Sequence, residues 1–222
     1  MTKLIGICGW INSGKGTVGD ILESEFGFVK ESFAKPLKDA VAIIFNWPRE
    51  LLEGDTKESR EFRELKDEYW SEKLDYEVTP RLILQKFGTE AVREGIGNSV
   101  WLDSLEIRLN SYTQYVITDV RFQNEIELIK KLGGEVIWVI KGDAIPEWYS
   151  NYKGLLEYSN FAFRMEKRYP EIHQSEWDWV MSNFDYILTN NGTLEDLNKN
   201  VSEMLEYFYL NTAIKSGALK NV

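Results

Sequence analysis

The residues best suited to chemistry lie near the amino end. Gly9-Trp10-Ile11-Asn12-Ser13-Gly14-Lys15-Gly16-Thr17 places a glycine, four residues and Gly-Lys, followed by Gly-Thr rather than directly by Ser or Thr. Glycines let backbone N–H groups come close to phosphate oxygens, and a helix starting there adds positive potential. The spacing therefore predicts that the backbone from Asn12 through Ser13, Gly14, Lys15, Gly16 and Thr17 wraps a triphosphate. Lys15 would reach the β- and γ-phosphates, and the Thr17 hydroxyl would hold Mg²⁺.

A second acidic position is expected at Asp119, where the apolar run Tyr115-Val116-Ile117-Thr118 ends. A carboxylate at the C-terminal edge of a sheet strand is placed to hold Mg²⁺ or its waters. The competing reading of Asp119 is an N-cap for a helix starting near Gln123. Arg121, two residues on, would project near the same crevice. Bringing two polyanions into line requires guanidinium groups, which grip phosphate in a fork and stay charged. Arg81, Arg93 and Arg121 are candidates for an acceptor phosphate, with Arg60 and Arg63 nearby in a charged stretch; Arg164 and Arg168 are candidates for a closing lid. For Arg60, Arg164 and Arg168, a solvated helix face is an equally good account.

These side chains need a scaffold. Lys3 to Cys8 reads as a buried strand, and about Gly14 to Phe26 as the helix after it. Further strands are expected at Phe28 to Ser32, Tyr115 to Thr118, Glu135 to Ile140 and Tyr186 to Thr189, with helical patterns between most of them. Such alternation predicts an α/β fold with a central parallel sheet covered by helices on both faces. With the loop, this is a P-loop NTPase three-layer sandwich.

One domain over residues 1–222 is expected. A helical acceptor-binding region would span about 50–112, with Pro80 opening a helix to about Glu94. A lid-like insertion would span about 142–180, where Trp148, Tyr149, Tyr152, Tyr158, Phe161 and Phe163 crowd together with Arg164, Lys167 and Arg168. A terminal helix is expected over about Leu194 to Leu210.

Composition narrows the function classes. Lys plus Arg number 26 against 36 Asp plus Glu, a net charge of −10, which disfavours a broad surface for tracking nucleic acid. A single cysteine, Cys8, and a single histidine, His173, exclude a Cys/His zinc cluster and an intrachain disulfide. A reducing cytoplasmic setting fits. Neither a signal peptide nor a membrane span is visible, and the Asn191-Gly192-Thr193 sequon reads as accidental. His173 lies near Ser175 and Glu176, yet no Gly-x-Ser-x-Gly elbow accompanies them, so a structural or lid-closing role is expected.

The chain resembles the phage-type deoxynucleoside monophosphate kinases. The resemblance is carried by GWINSGKGT at Gly9 to Thr17, SFAKPLK at Ser32 to Lys38 and TPRLILQKFGTEAVR at Thr79 to Arg93. It continues in TDVRFQNE at Thr118 to Glu125, HQSE at His173 to Glu176 and NNGTLEDL at Asn190 to Leu197. It implies ATP and Mg²⁺ at the loop and a deoxynucleoside monophosphate (dNMP) near Phe33, Lys35, Arg81, Gln85 and Arg121. It also implies adenine close to Asn191 and Gly192, and a homodimer, the form often found in this branch. Gln85 lies one helical turn beyond Arg81, so both can face one pocket, whereas a Phe beside a strand is more often core. The nearest rival is another small-molecule P-loop kinase, such as one acting on dephospho-coenzyme A. A nucleotide-binding switch is disfavoured, since Asn198-Lys199 is followed by Asn200-Val201 and no Asp-x-x-Gly occurs.

Overall fold

A computed structural model describes residues 4–152 and 161–215. In chain order the elements begin with β1 (Leu4–Cys8), α1 (Lys15–Phe26), β2 (Val29–Glu31) and α2 (Lys35–Phe45). Then come α3 (Lys57–Glu64), α4 (Glu68–Leu74), α5 (Pro80–Lys86), α6 (Val100–Arg108) and β3 (Tyr115–Ile117). The last are α7 (Gln123–Lys131), β4 (Glu135–Ile140), α8 (Glu147–Tyr152), α9 (Phe161–Arg168), β5 (Tyr186–Thr189) and α10 (Leu194–Lys215). These residues form two compact units: 4–31 together with 110–152 and 161–215, and 32–109.

The first unit is built on a five-stranded sheet in the order β2-β3-β1-β4-β5, with every pair parallel. β1 is central and wholly buried, which is why it reads as an unbroken apolar run rather than an alternating one. Its side chains still divide by the two-residue period. Ile5 and Ile7 join Val18, Ile21 and Leu22 of α1 and Val201, Met204 and Phe208 of α10 in one core. On the opposite face, a side chain on Gly6 would overlap Ile129 of α7. Helices thus cover both faces, as the alternation predicts. α1 stops at Gly27, whose left-handed φ of 72° lets its N–H return to Leu22 O.

The second unit is helical and has its own core of Leu37, Val41, Trp47, Leu52, Val78, Ile83, Leu84, Val92 and Trp101. It starts earlier than the expected residue 50, because Leu37 and Val41 of α2 pack into this core. Its helices start where short polar side chains cap them. Thr56 and Ser59 form a capping box on α3, the Asp67 carboxylate accepts from Trp70 N on α4, and the Thr79 hydroxyl accepts from Leu82 N on α5. The helix expected from Pro80 to Glu94 is continuous in span but changes character. After Lys86 it widens into a π-helix over Phe87–Glu94, where the Trp101 indole donates to Gly88 O (2.9 Å).

In the stretch expected to be a lid, the described residues form short helical pieces: Gly142–Ala144, α8, α9, Gln174–Glu176 and Asp178–Met181. Tyr158 and the Tyr152 side chain, expected among its aromatics, lie outside the described residues, as does Lys3 at the start of the first strand. Among the described residues, no helix is long and apolar enough to cross a membrane.

Candidate active site

The loop from Gly9 to Thr17 joins the C-terminal end of β1 to the first turn of α1. Its shape requires glycine at Gly9 and Gly14. A Cβ on Gly9 would sit 2.6 Å from Ser13 Oγ and 2.7 Å from Val139 O. Gly14 has φ +98°, and a Cβ there would overlap the Asn190 side chain. Asn12 also takes a left-handed φ of 65°, which asparagine tolerates better than most residues. Gly14 occupies the N-cap position of α1 with no side-chain cap, and the first amide turned back into the helix is Val18 N to Gly14 O (3.0 Å). The first-turn amides of Lys15, Gly16 and Thr17 therefore have no intrahelical acceptor and suit an anion.

Lys15 is folded onto its own loop, donating to Gly9 O (2.6 Å) and Trp10 O (2.8 Å). Burial, then the nearby Arg121 guanidinium, lowers its pKa from 10.5 to about 8, against the opposing pull of Glu176, Cys8 and Asp119. Asp119 and Arg121, both read from the sequence, are thus in the electrostatic neighbourhood of Lys15. Asp119 is not the helix cap of the competing reading, since α7 begins at Gln123 and Phe122 holds the cap position.

Two carboxylates organise Arg121, and the sequence reading gave neither a role. Glu125, only 2% exposed, accepts through Oε2 from the backbone N–H of Arg121 (2.7 Å) and of Phe122 (3.2 Å). Glu176 pairs with the Arg121 guanidinium at 2.9 Å. The available signal was the placement of these acids inside TDVRFQNE and HQSE. The His173 Nδ1 lies 2.9 Å from Ser175 Oγ and accepts from Ser175 N, capping the short turn that carries Glu176.

Trp10 is wedged among aromatics, with ring centroids 5.3 Å from Trp138, 4.6 Å from Tyr149 and 5.6 Å from Trp179. The first half of the loop is thereby tied to β4, α8 and the Asp178–Met181 turn. Just after β5, the Asn191 side chain accepts from Gly142 N (2.8 Å), and Gly192 packs against Asp196. In α9, Arg164 is half-buried, and the exposed Arg168 lies 5.7 Å from the Tyr169 ring.

The remaining candidates belong to the helical unit. Arg81 Nε is paired with Glu64 Oε1, and the half-buried Gln85 follows one turn later on α5. Arg60 is exposed and donates to Asp55 O (2.7 Å), while Arg63 donates to Glu53 O (3.4 Å). Arg93 is buried and donates to Asn98 O (3.4 Å) and Oδ1 (3.3 Å), a partner set that holds the end of the π-helix. Phe33 is buried and Lys35 exposed at the start of α2.

The loop fits a nucleoside triphosphate: Gly9 and Gly14 leave no room for side chains, the buried Ser13 hydroxyl has no partner among the described residues, and the first-turn amides are open. The donor set for a divalent ion is sparse. Among the described residues no group of three or more His, Cys, Asp or Glu side chains could cage a metal. The exposed Thr17 hydroxyl and Asp119 suit Mg²⁺, which keeps most of its waters and is held largely by substrate phosphates.

A parallel sheet whose central strand feeds a glycine loop, a lysine and a helix defines a P-loop NTPase fold. The family model for deoxynucleotide monophosphate kinase matches residues 48–151. A protein of Acanthamoeba polyphaga mimivirus, provisionally named a deoxynucleotide monophosphate kinase, is 30% identical over 208 residues, covering 87% of this chain and 91% of its own. The deoxynucleotide monophosphate kinase of Enterobacteria phage T4 is 22% identical over 261 residues, covering 92% and 99%. Among solved structures, a dephospho-CoA kinase from Campylobacter jejuni aligns with a TM-score of 0.45 at 17% identity, covering 92% of this chain and 96% of that one. The chain belongs to the deoxynucleotide monophosphate kinase family.

Proposed function

We propose that this protein transfers the γ-phosphate of ATP to a dNMP, giving ADP and the deoxynucleoside diphosphate. The observation that carries the reading is the buried Lys15 ammonium in a glycine loop, with Arg121 beside it. An acceptor phosphate has a second pKa near 6, so at neutral pH it is already largely an oxyanion. The site must therefore neutralise charge and align the two reactants more than remove a proton.

In this mechanism, backbone amides from Asn12 to Thr17 hold the triphosphate, and Lys15 leaves the Gly9 and Trp10 carbonyls to contact its outer phosphates. Thr17 and Asp119 would hold Mg²⁺, which would supply charge neutralisation to the phosphates. Arg121 orients the acceptor phosphate for in-line attack. Phe33, Lys35, Arg81 and Gln85 receive the deoxynucleoside, with Arg60, Arg63 and Arg93 as further acceptor-side candidates. Asn191 and Gly192 lie by the adenine, and Arg164 and Arg168 close over the phosphates as a lid that excludes water. We assign both compact units to one catalytic domain acting in a cytoplasm, as a homodimer, with no stable nucleic-acid partner.

The deciding experiment is a coupled ADP-release assay with Mg²⁺-ATP against each common dNMP, each ribonucleoside monophosphate and dephospho-coenzyme A. Turnover with one or more dNMPs is expected. Turnover with dephospho-coenzyme A and no dNMP would reject the proposal.

The Lys15 pKa gives a pH prediction. In the free protein the ammonium loses its proton near pH 8, whereas a bound polyanion stabilises the charged form and raises that pKa. Binding of a non-hydrolysable ATP analogue is then accompanied by proton uptake as pH rises past about 8, and affinity falls as pH rises through that range. Calorimetry in two buffers of different ionisation heat measures the uptake. Proton release, or affinity flat across the window, contradicts the assignment.

A further inference from the structure

β5 ends at Thr189, and the next residue, Asn190, is anchored at both its backbone and its side chain. Its N–H donates to Ile140 O (2.8 Å) at the end of β4, extending the parallel ladder one step beyond the strand. Its side-chain Nδ2 donates to Ser13 O (2.9 Å), across 177 positions of sequence. The same amide fills the space that a Cβ on Gly14 would need. The phosphate loop and the last strand are therefore joined at the Ser13–Gly14 peptide.

The orientation of that peptide follows from planarity. Across a trans peptide the C=O and the following N–H point in opposite directions. A Ser13 carbonyl held on Asn190 thus turns the Gly14 N–H away from Asn190. The Ser13 hydroxyl does not fix the peptide in this way: it is fully buried and has no hydrogen-bond partner among the described residues. Ser13 N is committed to Trp10 O (3.2 Å), which sets the preceding peptide and not this one.

We propose that Asn190 is a positioning residue of the phosphate loop: its amide sets the Ser13–Gly14 peptide so that the Gly14 N–H is presented to polyphosphate before any ligand arrives. The inference rests on the phosphate-loop reading and deepens it. It gives Asn190 a task separate from that of its neighbour, since the Asn191 side chain is spent on Gly142 N (2.8 Å). Asn190 acts on the phosphates through the backbone and touches no base.

The test compares two ligands that share phosphates and differ in the base. Dissociation constants for Mg²⁺-ATP, and for Mg²⁺-tripolyphosphate by competition against ATP, are measured for the wild type, Asn190→Ala and the isosteric Asn190→Asp. Loss of the amide should weaken both ligands by the same factor of about ten, the size expected for one misplaced backbone donor to a charged acceptor. Asn190→Asp should cost more, because a carboxylate oxygen would face the Ser13 carbonyl. Binding of a dNMP alone should be unchanged in both variants, a selectivity that general loosening of the fold would not give. Wild-type tripolyphosphate affinity in a folded Asn190→Asp protein overturns the proposal, and ATP weakened without tripolyphosphate would assign Asn190 to the base instead. If the wild-type protein binds neither ligand, the phosphate-loop reading itself fails, and this proposal with it.

Discussion

Replacing Lys15 by alanine is expected to lower phosphoryl transfer by at least about a hundredfold while leaving the protein folded. The rate loss is that of a preorganised cation aimed at charge that spreads during transfer, a contribution of roughly 3 kcal/mol or more. The fold should survive because the free protein gains little from this charge. The Lys15 pKa is lowered to about 8, so folding disfavours the ammonium at neutral pH, and that penalty is relieved only as pH rises above 8. Against this stands the loss of the donor to Gly9 O and Trp10 O, two carbonyls that water can reach once the side chain is gone. Melting at pH 7 should therefore stay within a few degrees of wild type. Circular dichroism checks the fold and the ADP-release assay checks the rate; a folded variant with near wild-type turnover removes Lys15 from the mechanism.

Arg121→Ala should separate the two substrates. Its guanidinium pairs with Glu176 at 2.9 Å, and its backbone is held by the buried Glu125, so the side chain is fixed at both ends. If it receives the acceptor phosphate, kcat/KM for the dNMP falls by about 10²- to 10³-fold, whereas the dissociation constant for an ATP analogue changes little. Arg121→Lys keeps the charge and loses the fork, so it should recover only part of the activity. The substitution to alanine has a second consequence at Lys15. Arg121 is the principal charge lowering the Lys15 pKa, after burial, and Glu176 would be left beside Lys15 without its partner. The proton-uptake window on ATP binding should then move to higher pH. Loss of ATP binding equal to the loss of dNMP use would place Arg121 on the donor side.

The active site owes much to local pattern and the rest to distant contacts. The phosphate loop, the five strands and the starts of α1 and α5 could be read directly, because each depends on near neighbours: glycine where a Cβ will not fit, a two-residue or 3.6-residue apolar period, and a Thr before a Pro. Asp119 and Arg121 followed from the end of one apolar run. The roles of Glu125, Glu176 and Asn190 could not be read in this way. Glu176 meets Arg121 across 55 positions and Asn190 meets Ser13 across 177, encounters created by a sheet order that places β1 between β3 and β4 and puts β5 at the edge. The burial of Arg93 on Asn98, the widening of the helix after Lys86 and the membership of α2 in the helical unit likewise depend on packing partners. By itself the sequence determined that a glycine loop with Lys15 at its end would join the first strand to the first helix, since those are matters of residue type and spacing. Only the tertiary structure decided which carboxylates and amides hold that machinery in place, because strand order brings together groups that no local period connects.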